Sequence, residues 1–482
     1  MAALDRRAID SLGIPGMVLM ERASLVCADA LERLAPGAPS LILAGPGNNG
    51  GDGSCIARIR RCRGHRATIL TLGDPNSYPP DASANLEIAR RAGCEIAPAS
   101  PDRLRAELHQ RPVVVDALFG IGLSGTLPRE VVQLLDIVRR EHDGTVLAVD
   151  VPSGVHSDTG SCDPGTLSAT HTVAMGALKW CHVLGDGAER CGTVEVADIG
   201  LPRCWLDEAA AATIVDRRMA GTLVPQRSRN VHKGCSGTIL LRAGSPKMPG
   251  AAVLAALGAV MTGTGLLSVD ASEDVLSLVL RTVPECVAAH SGRQHDVVLI
   301  GPGRGTSDEA AAELESTVTE VRGPLVLDAD ALNLMAARGL VGSTEHWSAI
   351  LTPHPAELAR LLGVELADVL GDLPGAAMRA ARMWNAVVVA KTAGAVIAAP
   401  DGPVYFVEPG SSKMASAGCG DVLAGIIAAL RPHLPPLESA ILGCWVHAAA
   451  GHAAALATGS LRVRAQEVAR NVPSVLSELG PR

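Results

Sequence analysis

Three segments of the chain place side-chain oxygens directly after short apolar runs. Gly45-Pro46-Gly47-Asn48-Asn49-Gly50-Gly51-Asp52-Gly53 follows Leu41–Ala44 and leads into a helical Ser54–Arg61. Asp116-Ala117-Leu118-Phe119-Gly120-Ile121-Gly122-Leu123-Ser124-Gly125 follows Val113–Val115, and Asp150-Val151-Pro152-Ser153-Gly154 follows Val146–Val149. Glycines at a strand-to-helix turn allow positive φ and let the backbone approach a ligand closely. The helix N-terminus that follows offers unpaired N–H groups to an anion. Amide, carboxylate and hydroxyl oxygens from Asn49, Asp116, Asp150 and Ser153 suit a hard cation rather than zinc. Any one of these acids alone reads more readily as a helix cap or a turn. Their repeated position after strands is what turns them into a site.

A second concentration lies towards the C-terminus. Lys413-Met414-Ala415-Ser416-Ala417-Gly418-Cys419-Gly420-Asp421 runs into the apolar helix Val422–Leu430. A small-residue turn at a helix start presents several N–H groups to one point, where they and the helix dipole stabilise charge on a transferring phosphoryl group. Asp421, in the first turn, is placed to take a proton from a nearby hydroxyl. Gly301-Pro302-Gly303-Arg304-Gly305, Asp328-Ala329-Asp330, Thr352-Pro353-His354-Pro355 and Lys391-Thr392-Ala393-Gly394-Ala395 each follow an apolar run in the same way. The prolines flanking His354 fix its backbone, so a defined orientation at a strand exit is expected.

These loops need parallel strands to bring them to one edge. Candidate strands are Leu41–Ala44, Ala67–Leu72, Val113–Asp116 and Val146–Val149, then Thr238–Arg242, Asp296–Ile300, Leu325–Leu327, Ala349–Leu351 and Ala386–Ala390. Continuous Val, Ile and Leu runs indicate strands buried on both faces, and their alternation with Ala/Leu-rich helices indicates α/β domains with mostly parallel sheets. In such sheets the loops at the carboxyl edge converge on one crevice. The rhythm breaks around Pro202 to Pro225. The chain therefore divides into a first domain over 1–203, a linker over 204–225 and a second domain over 226–482. The halves share no motif, so this is a fusion and not a duplication.

Composition limits the alternatives. A chain of 482 residues exceeds one ordinary core, and 48% hydrophobic residues suffice for two. Aromatics are only 2%, so a nucleobase or nicotinamide must be held by aliphatic walls and backbone groups. The net charge of -8, with no long basic run, gives no electrostatic footprint for nucleic acid. Arg58, Arg60, Arg61, Arg63 and Arg66 read as a solvated helix end. The cysteines are scattered without C-x-x-C spacing, which suits reduced thiols in the cytoplasm. No uninterrupted apolar run and no apolar N-terminal core appear, so no membrane span or signal segment is expected.

Asn-Asn-Gly-Gly-Asp-Gly, Asp-Ala-Leu-Phe-Gly-x-Gly and Val-Asp-Val-Pro-Ser-Gly occur here in order, behind the opening Leu12-Gly13-Ile14-Pro15-Gly16-Met17-Val18-Leu19-Met20-Glu21-Arg22-Ala23. Together they resemble the NAD(P)H-hydrate epimerase family over about Ala3 to Pro202. The resemblance implies a Rossmann-like three-layer α/β sandwich and a potassium ion held by Asn49, Asp116 and Ser153. It also implies substrate contacts from Asn48, Asn49, Gly50, Gly51 and Asp52, from Gly120, Ile121, Gly122, Leu123, Ser124, Gly125 and Thr126, and from Asp150 as the catalytic acid/base.

From His232 onward, His232-Lys233-Gly234, Gly244-Ser245-Pro246-Lys247-Met248-Pro249-Gly250-Ala251, Thr262-Gly263-Thr264-Gly265-Leu266 and the loops above resemble the ADP/ATP-dependent NAD(P)H-hydrate dehydratase family. That resemblance implies a ribokinase-like α/β domain. It implies hydrate contacts from Gly303, His354 and Asp421, with Asp421 catalytic. Nucleotide contacts would come from Lys391, Thr392, Ala393, Gly394, Ala395 and Gly420. The implied partners are hydrated NADH or NADPH and ADP with Mg2+, in a cytoplasmic homo-oligomer. An epimerase fused ahead of a dehydratase is a bacterial arrangement, which favours ADP over ATP as donor.

The chain departs from these patterns in places. Lys179 is followed by Trp180-Cys181-His182 where the epimerase family continues with Pro-Gly, and Lys179 reads either as facing the substrate or as a surface lysine. Thr392 stands where glycine is usual. Cys419 replaces Thr or Ser, and a helix N-terminus would lower its pKa and expose it to oxidation. The alternative reading is a ribokinase-like vitamin kinase fused to a non-catalytic binding domain.

Overall fold

The computed structural model describes residues 1–123, 125–226, 236–290, 292–321, 323–340, 348–408 and 410–480. Ser124 and the His232-Lys233-Gly234 motif lie outside the described residues. The chain divides into two compact units, Met1–Ala210 and Ala211–Arg482.

In the first unit the apolar runs form β1 (Ser40–Ala44), β2 (Ala67–Thr71), β3 (Glu95–Pro98), β4 (Val113–Ala117), β5 (Val146–Val149), β6 (His171–Met175) and β7 (Thr193–Ala197). They pair in the order β3-β2-β1-β4-β5-β6-β7, every pairing parallel. Alternate residues of β1 go to opposite faces. Ile42 and Ala44 pack with Cys27 and Leu31 of helix Gly16–Leu34 and Ile56 of helix Asn48–Cys62. Leu41 and Leu43 pack with Leu104, Val131 and Leu135 on the other side. Two helical layers thus bury one sheet, which is why these strands read as continuous apolar runs. β1 and β4 are adjacent although β2 and β3 intervene in sequence, so the strand order reverses between them. Ligand crevices form at such a switch point.

In the second unit β8 (Ala212–Ile214), β9 (Thr238–Arg242), β10 (Leu266–Asp270), β11 (Cys286–Ala288), β12 (Val297–Ile300), β13 (Pro324–Leu327), β14 (Ser348–Leu351), β15 (Val387–Lys391), β16 (Ala395–Ala398) and β17 (Val404–Val407) pair as β11-β10-β9-β12-β13-β14-β15-β16-β17-β8. The sheet is parallel except for the β15-β16-β17 meander. Helix Pro436–Thr458 is long and apolar enough to cross a membrane by length and composition. In this structure it packs against the flanking helices and the sheet instead.

Several expectations need correction. Residues 204–225 are not a linker. They carry helix Arg203–Ala209, β8 and helix Arg217–Thr222, and β8 completes the second sheet against β17. A strand of only three residues, set behind an alanine run, leaves no periodic signal. The arginine cluster is not simply a solvated helix end. The Arg60 side chain is fully buried, donating from Nε to Ser40 Oγ (3.2 Å) and from Nη2 to the Ala38 carbonyl (2.9 Å) and pairing with Glu32. A partner for each of its three nitrogens is what lets this guanidinium lie inside.

The glycine-rich loop also differs. The helix starts at Asn48, so Gly50, Gly51 and Gly53 lie inside it, and none of them has positive φ. Their lack of a Cβ serves packing. A Cβ on Gly50 would run into the Gly45 carbonyl, and one on Gly53 would sit 2.7 Å from Ala117 Cβ. Gly50→Ala is therefore expected to destabilise the first unit by about 3 kcal/mol, at the upper end for overpacking. Thermal unfolding measures it, and an unchanged transition would show that the helix start can shift freely.

Candidate active sites

The first site is built at the carboxyl ends of β1, β4 and β5. Asp116 and Ser153 are almost wholly buried. Ser153 donates its backbone N–H to Asp116 Oδ2 (2.8 Å) and its hydroxyl to Asp116 Oδ1 (2.6 Å). Ser153 Oγ also accepts from the Phe119 amide at 3.0 Å, which ties the β4 loop to the β5 loop. Beside Phe119, Gly120 lies against Asn49: a Cβ there would stand 3.2 Å from Asn49 Oδ1. Asn49, Asp116 and Ser153 are thus brought together by one short stretch of loop.

Two features of this cluster are compatible with a bound cation. Burial pushes the Asp116 carboxyl up, against the hydrogen bonds from Ser153 and the Leu118 amide that pull it down. A buried carboxylate of this kind gains from a nearby cation. The Asn49 amide nitrogen is buried without a partner. Turning the amide over would present its oxygen there instead. Among the described residues no group of three His, Cys, Asp or Glu side chains could hold a metal, and this donor set is neutral apart from one acid.

Asp150 ends β5 in a left-handed conformation, with φ +66. Its Oδ1 accepts from the Met175 amide (2.8 Å) and from the Lys179 ammonium, which also donates to the Met175 carbonyl (2.9 Å). Lys179 is thus a buried partner of Asp150, with a side chain only 9% exposed. Asp52 belongs to the same neighbourhood: burial, then repulsion from Asp150 and Asp5, raises its carboxyl well above the usual range. Asn48 is exposed at the helix start. Gly120, Ile121, Gly122, Leu123, Gly125 and Thr126 form the partly exposed loop between β4 and helix Arg129–Glu141.

Sequence reading missed Asp5 as a neighbour of this group. Its carboxyl is raised by burial, lowered by the N-terminus and Lys179, and raised by Asp150. A single acid on the amphipathic helix Ala2–Leu12 carries no signal of that.

The second site collects around Lys391. Its ammonium donates to Asp328 Oδ1 (2.6 Å), which also accepts from Thr352 Oγ1 (2.8 Å). Burial pulls the Lys391 pKa down, but Asp328, Glu357 and Asp421 outweigh it and hold the ammonium above its usual range. Gly420 faces this lysine: a Cβ there would lie 3.4 Å from Lys391 Nζ. Helix Cys419–Leu430 begins at Gly418, whose φ of +91 only glycine adopts readily. Asp421, in its first turn, is pushed up to about 7, first by burial, then by repulsion from Asp328, against the pull of Lys391. Asp328 was legible as a loop residue but not as the partner of Lys391.

Lys391–Ala395 is the turn of the β15–β16 hairpin. Thr392 fits it, donating its amide (2.8 Å) and hydroxyl (3.2 Å) to the Gly394 carbonyl. Gly303 has φ +61, with the Met248 carbonyl 2.9 Å from where a Cβ would stand. His354 caps helix Pro355–Leu362: Nδ1 accepts from the Ala356 and Glu357 amides at 3.2 and 3.4 Å. Its side chain is half exposed, and burial with the charges of Lys391 and Arg360 lowers its pKa. The expectation for Cys419 reverses. Its thiol is buried and contacts Ser416 Oγ at 3.3 Å, and burial raises its pKa. Desolvation outweighs the hydrogen bonds from Ser416.

Comparison with known proteins fits both halves. Residues 16–181 match the family model described as YjeF-related protein N-terminus, and residues 239–474 match that of NAD(P)H-hydrate dehydratase. The bifunctional NAD(P)H-hydrate repair enzyme of Moorella thermoacetica is 36% identical over 99% of this chain and 96% of its own length. That of Escherichia coli is 32% identical, over 95% and 88% respectively. The chain belongs to the bifunctional NAD(P)H-hydrate repair enzyme family. Its order is an epimerase half followed by a dehydratase half with the ribokinase-like fold. A solved Bacillus subtilis ADP/ATP-dependent NAD(P)H-hydrate dehydratase, co-crystallised with ATP and Mg2+, aligns with a TM-score of 0.52 at 29% identity. It covers 56% of this chain and 100% of its own. Membership over nearly the full length leaves no place for the vitamin-kinase alternative.

Proposed function

We propose that the first unit interconverts the R and S forms of hydrated NADH and NADPH through Asp150, and that the second dehydrates the S form with ADP through Asp421. The observation that carries this reading is Asp421 at a helix N-terminus, poised near neutrality and opposite Lys391.

In the second unit, Asp421 takes the proton of the C6 hydroxyl as that oxygen attacks the terminal phosphoryl of ADP. AMP leaves. The Cys419 and Gly420 amides and the Lys391 ammonium stabilise the transferring charge. The ring nitrogen lone pair then expels phosphate from C6, and loss of a proton restores the dihydronicotinamide. Gly303 and His354 line the hydrate, and Lys391–Ala395 with Gly420 hold the nucleotide. The absence of a ready acidic cluster among the described residues suits a Mg2+ carried in by the phosphates.

In the first unit, hydroxide leaves C6 and returns on the other face through an iminium-like state. Asp150, paired with Lys179, moves the proton and offsets the developing positive charge. Asn48–Asp52 and Gly120–Thr126 contact the substrate. Asn49, Asp116 and Ser153 would hold potassium, which supplies fixed positive charge beside the substrate loop. Free thiols at the described cysteines suit a cytoplasmic setting.

Mixed hydrate epimers incubated with ADP, ATP or neither test the whole reading by the return of dihydronicotinamide absorbance. Full return with ADP is expected; none with either nucleotide would overturn it. Replacing potassium by tetramethylammonium at constant ionic strength should slow epimerisation by about tenfold or more, as for loss of a bound charge in a site, and leave dehydration unchanged. It should also lower the melting temperature of the first unit by mass action. Unchanged epimerisation and melting would remove the ion.

A further inference from the structure

After Lys179, where the epimerase pattern continues with Pro-Gly, this chain reads Trp180-Cys181-His182, and His182 is a buried histidine with both ring nitrogens engaged. His182 Nδ1 accepts the Lys179 backbone N–H at 2.9 Å, closing a one-turn helix over Trp180–His182. That bond fixes the tautomer: the ring proton sits on Nε2, which donates to the Asp150 carbonyl at 2.8 Å. One imidazole therefore spans the backbones of the two residues whose side chains form the buried ammonium–carboxylate pair.

This bridge has something to hold. Asp150 is a non-glycine residue at φ +66, a strained conformation that persists only when its surroundings impose it. Its amide still bonds the Val173 carbonyl (2.8 Å), so β6 fixes one side of the Asp150 backbone. The His182 ring fixes the other at the carbonyl. Lys179 lies outside any strand, with its backbone anchored by the same ring.

We propose that His182 is a positioning residue of the epimerase site, locking the Asp150 backbone and the Lys179 backbone in register so that carboxylate and ammonium meet at C6. The proposal rests on the reading that Asp150 is the acid/base. His182 acts through Asp150 and Lys179.

Two amide substitutions separate its halves. H182N keeps an acceptor where Nδ1 stands, preserving the Lys179 contact, and loses the reach to the Asp150 carbonyl. H182Q brings an amide N–H to the Nε2 position and restores that reach. Epimerisation by H182N is expected to fall about 10–100-fold in kcat, the cost typical of a lost orienting partner, with KM within about twofold. H182Q is expected to recover most of the loss. A general structural role would instead raise KM, lower the melting temperature of the first unit and leave both variants equally impaired. Normal kcat in H182N, or equal loss in both, would overturn the proposal. D150N is run alongside: if it retains epimerisation, the reading of Asp150 fails, whereas a dead D150N with a normal H182N refutes the role of His182 alone.

Discussion

Asp421→Asn is expected to lower dehydration by about 10² or more while nucleotide binding survives or tightens, as when a positioned base is lost. A carboxylate at this point is pulled two ways. It must lie near the phosphoryl to reach the hydroxyl, yet its charge repels phosphate. Lys391 and the N-terminus of helix Cys419–Leu430 offset that repulsion. Asparagine keeps the size, removes the charge and cannot take a proton. Calorimetry gives the nucleotide affinity, and absorbance at saturating nucleotide gives turnover.

The pH dependence supplies the second readout. The Asp421 carboxyl is raised to about 7, so it is ionised above that value and protonated below it. A base must be ionised, so kcat/KM for dehydration should rise with pH and level off above neutrality, standing about tenfold below its plateau one unit under the midpoint. The Asn variant should lose this limb. Near-normal turnover in the variant would remove Asp421 from the mechanism, and lost nucleotide binding with an intact fold would reassign it to the helix start.

How far these sites were legible depended on how local their signals were. Asn49, Asp150 and Ser153 follow strands of one parallel sheet, and Asp116 lies at the carboxyl end of another of its strands, β4. Position after a strand is a local property, so their convergence could be read from sequence. Pairing is not local. Lys179 meets Asp150 only because β5 and β6 are neighbours, and β6 was not recognised: His171-Thr172-Val173-Ala174-Met175 is short and opens on two polar residues. Lys391 meets Asp328 because β13, β14 and β15 lie side by side. The glycines of the first loop were legible as glycines but not in their role. Their sequence suits a phosphate loop and tight helix-to-sheet packing equally, and only the contacts of Gly50 and Gly53 distinguish the two. Cys419 was legible as the residue at a helix start but not as a buried thiol, and burial, which sequence position does not reveal, is what raises its pKa.

Asp150→Asn should abolish interconversion of the R and S hydrates, by about 10² or more, and leave dehydration of the S form intact, because Asp150 and Asp421 lie in different units. With excess ADP and mixed epimers, the unmodified protein should consume both forms. The variant should consume the S form and stall, leaving R hydrate visible by chromatography; spontaneous epimerisation sets the slow residual rate. The substitution keeps an oxygen for the Met175 amide but removes the charge that pairs with Lys179. Breaking a buried pair from one side costs about 3–5 kcal/mol, since the remaining charge stays buried alone. Loss of activity in Asp150→Asn by itself would therefore confound chemistry with folding. The double variant Asp150→Asn, Lys179→Met removes both charges and should regain much of the lost stability, while epimerisation stays absent. Recovery of epimerisation in the double variant would show that the pair is structural and that another group, such as Asp52 or Asp5, both electrostatically coupled to Asp150, moves the proton. Equal loss of epimerisation and dehydration in a folded Asp150→Asn protein would contradict the division of labour between the two units.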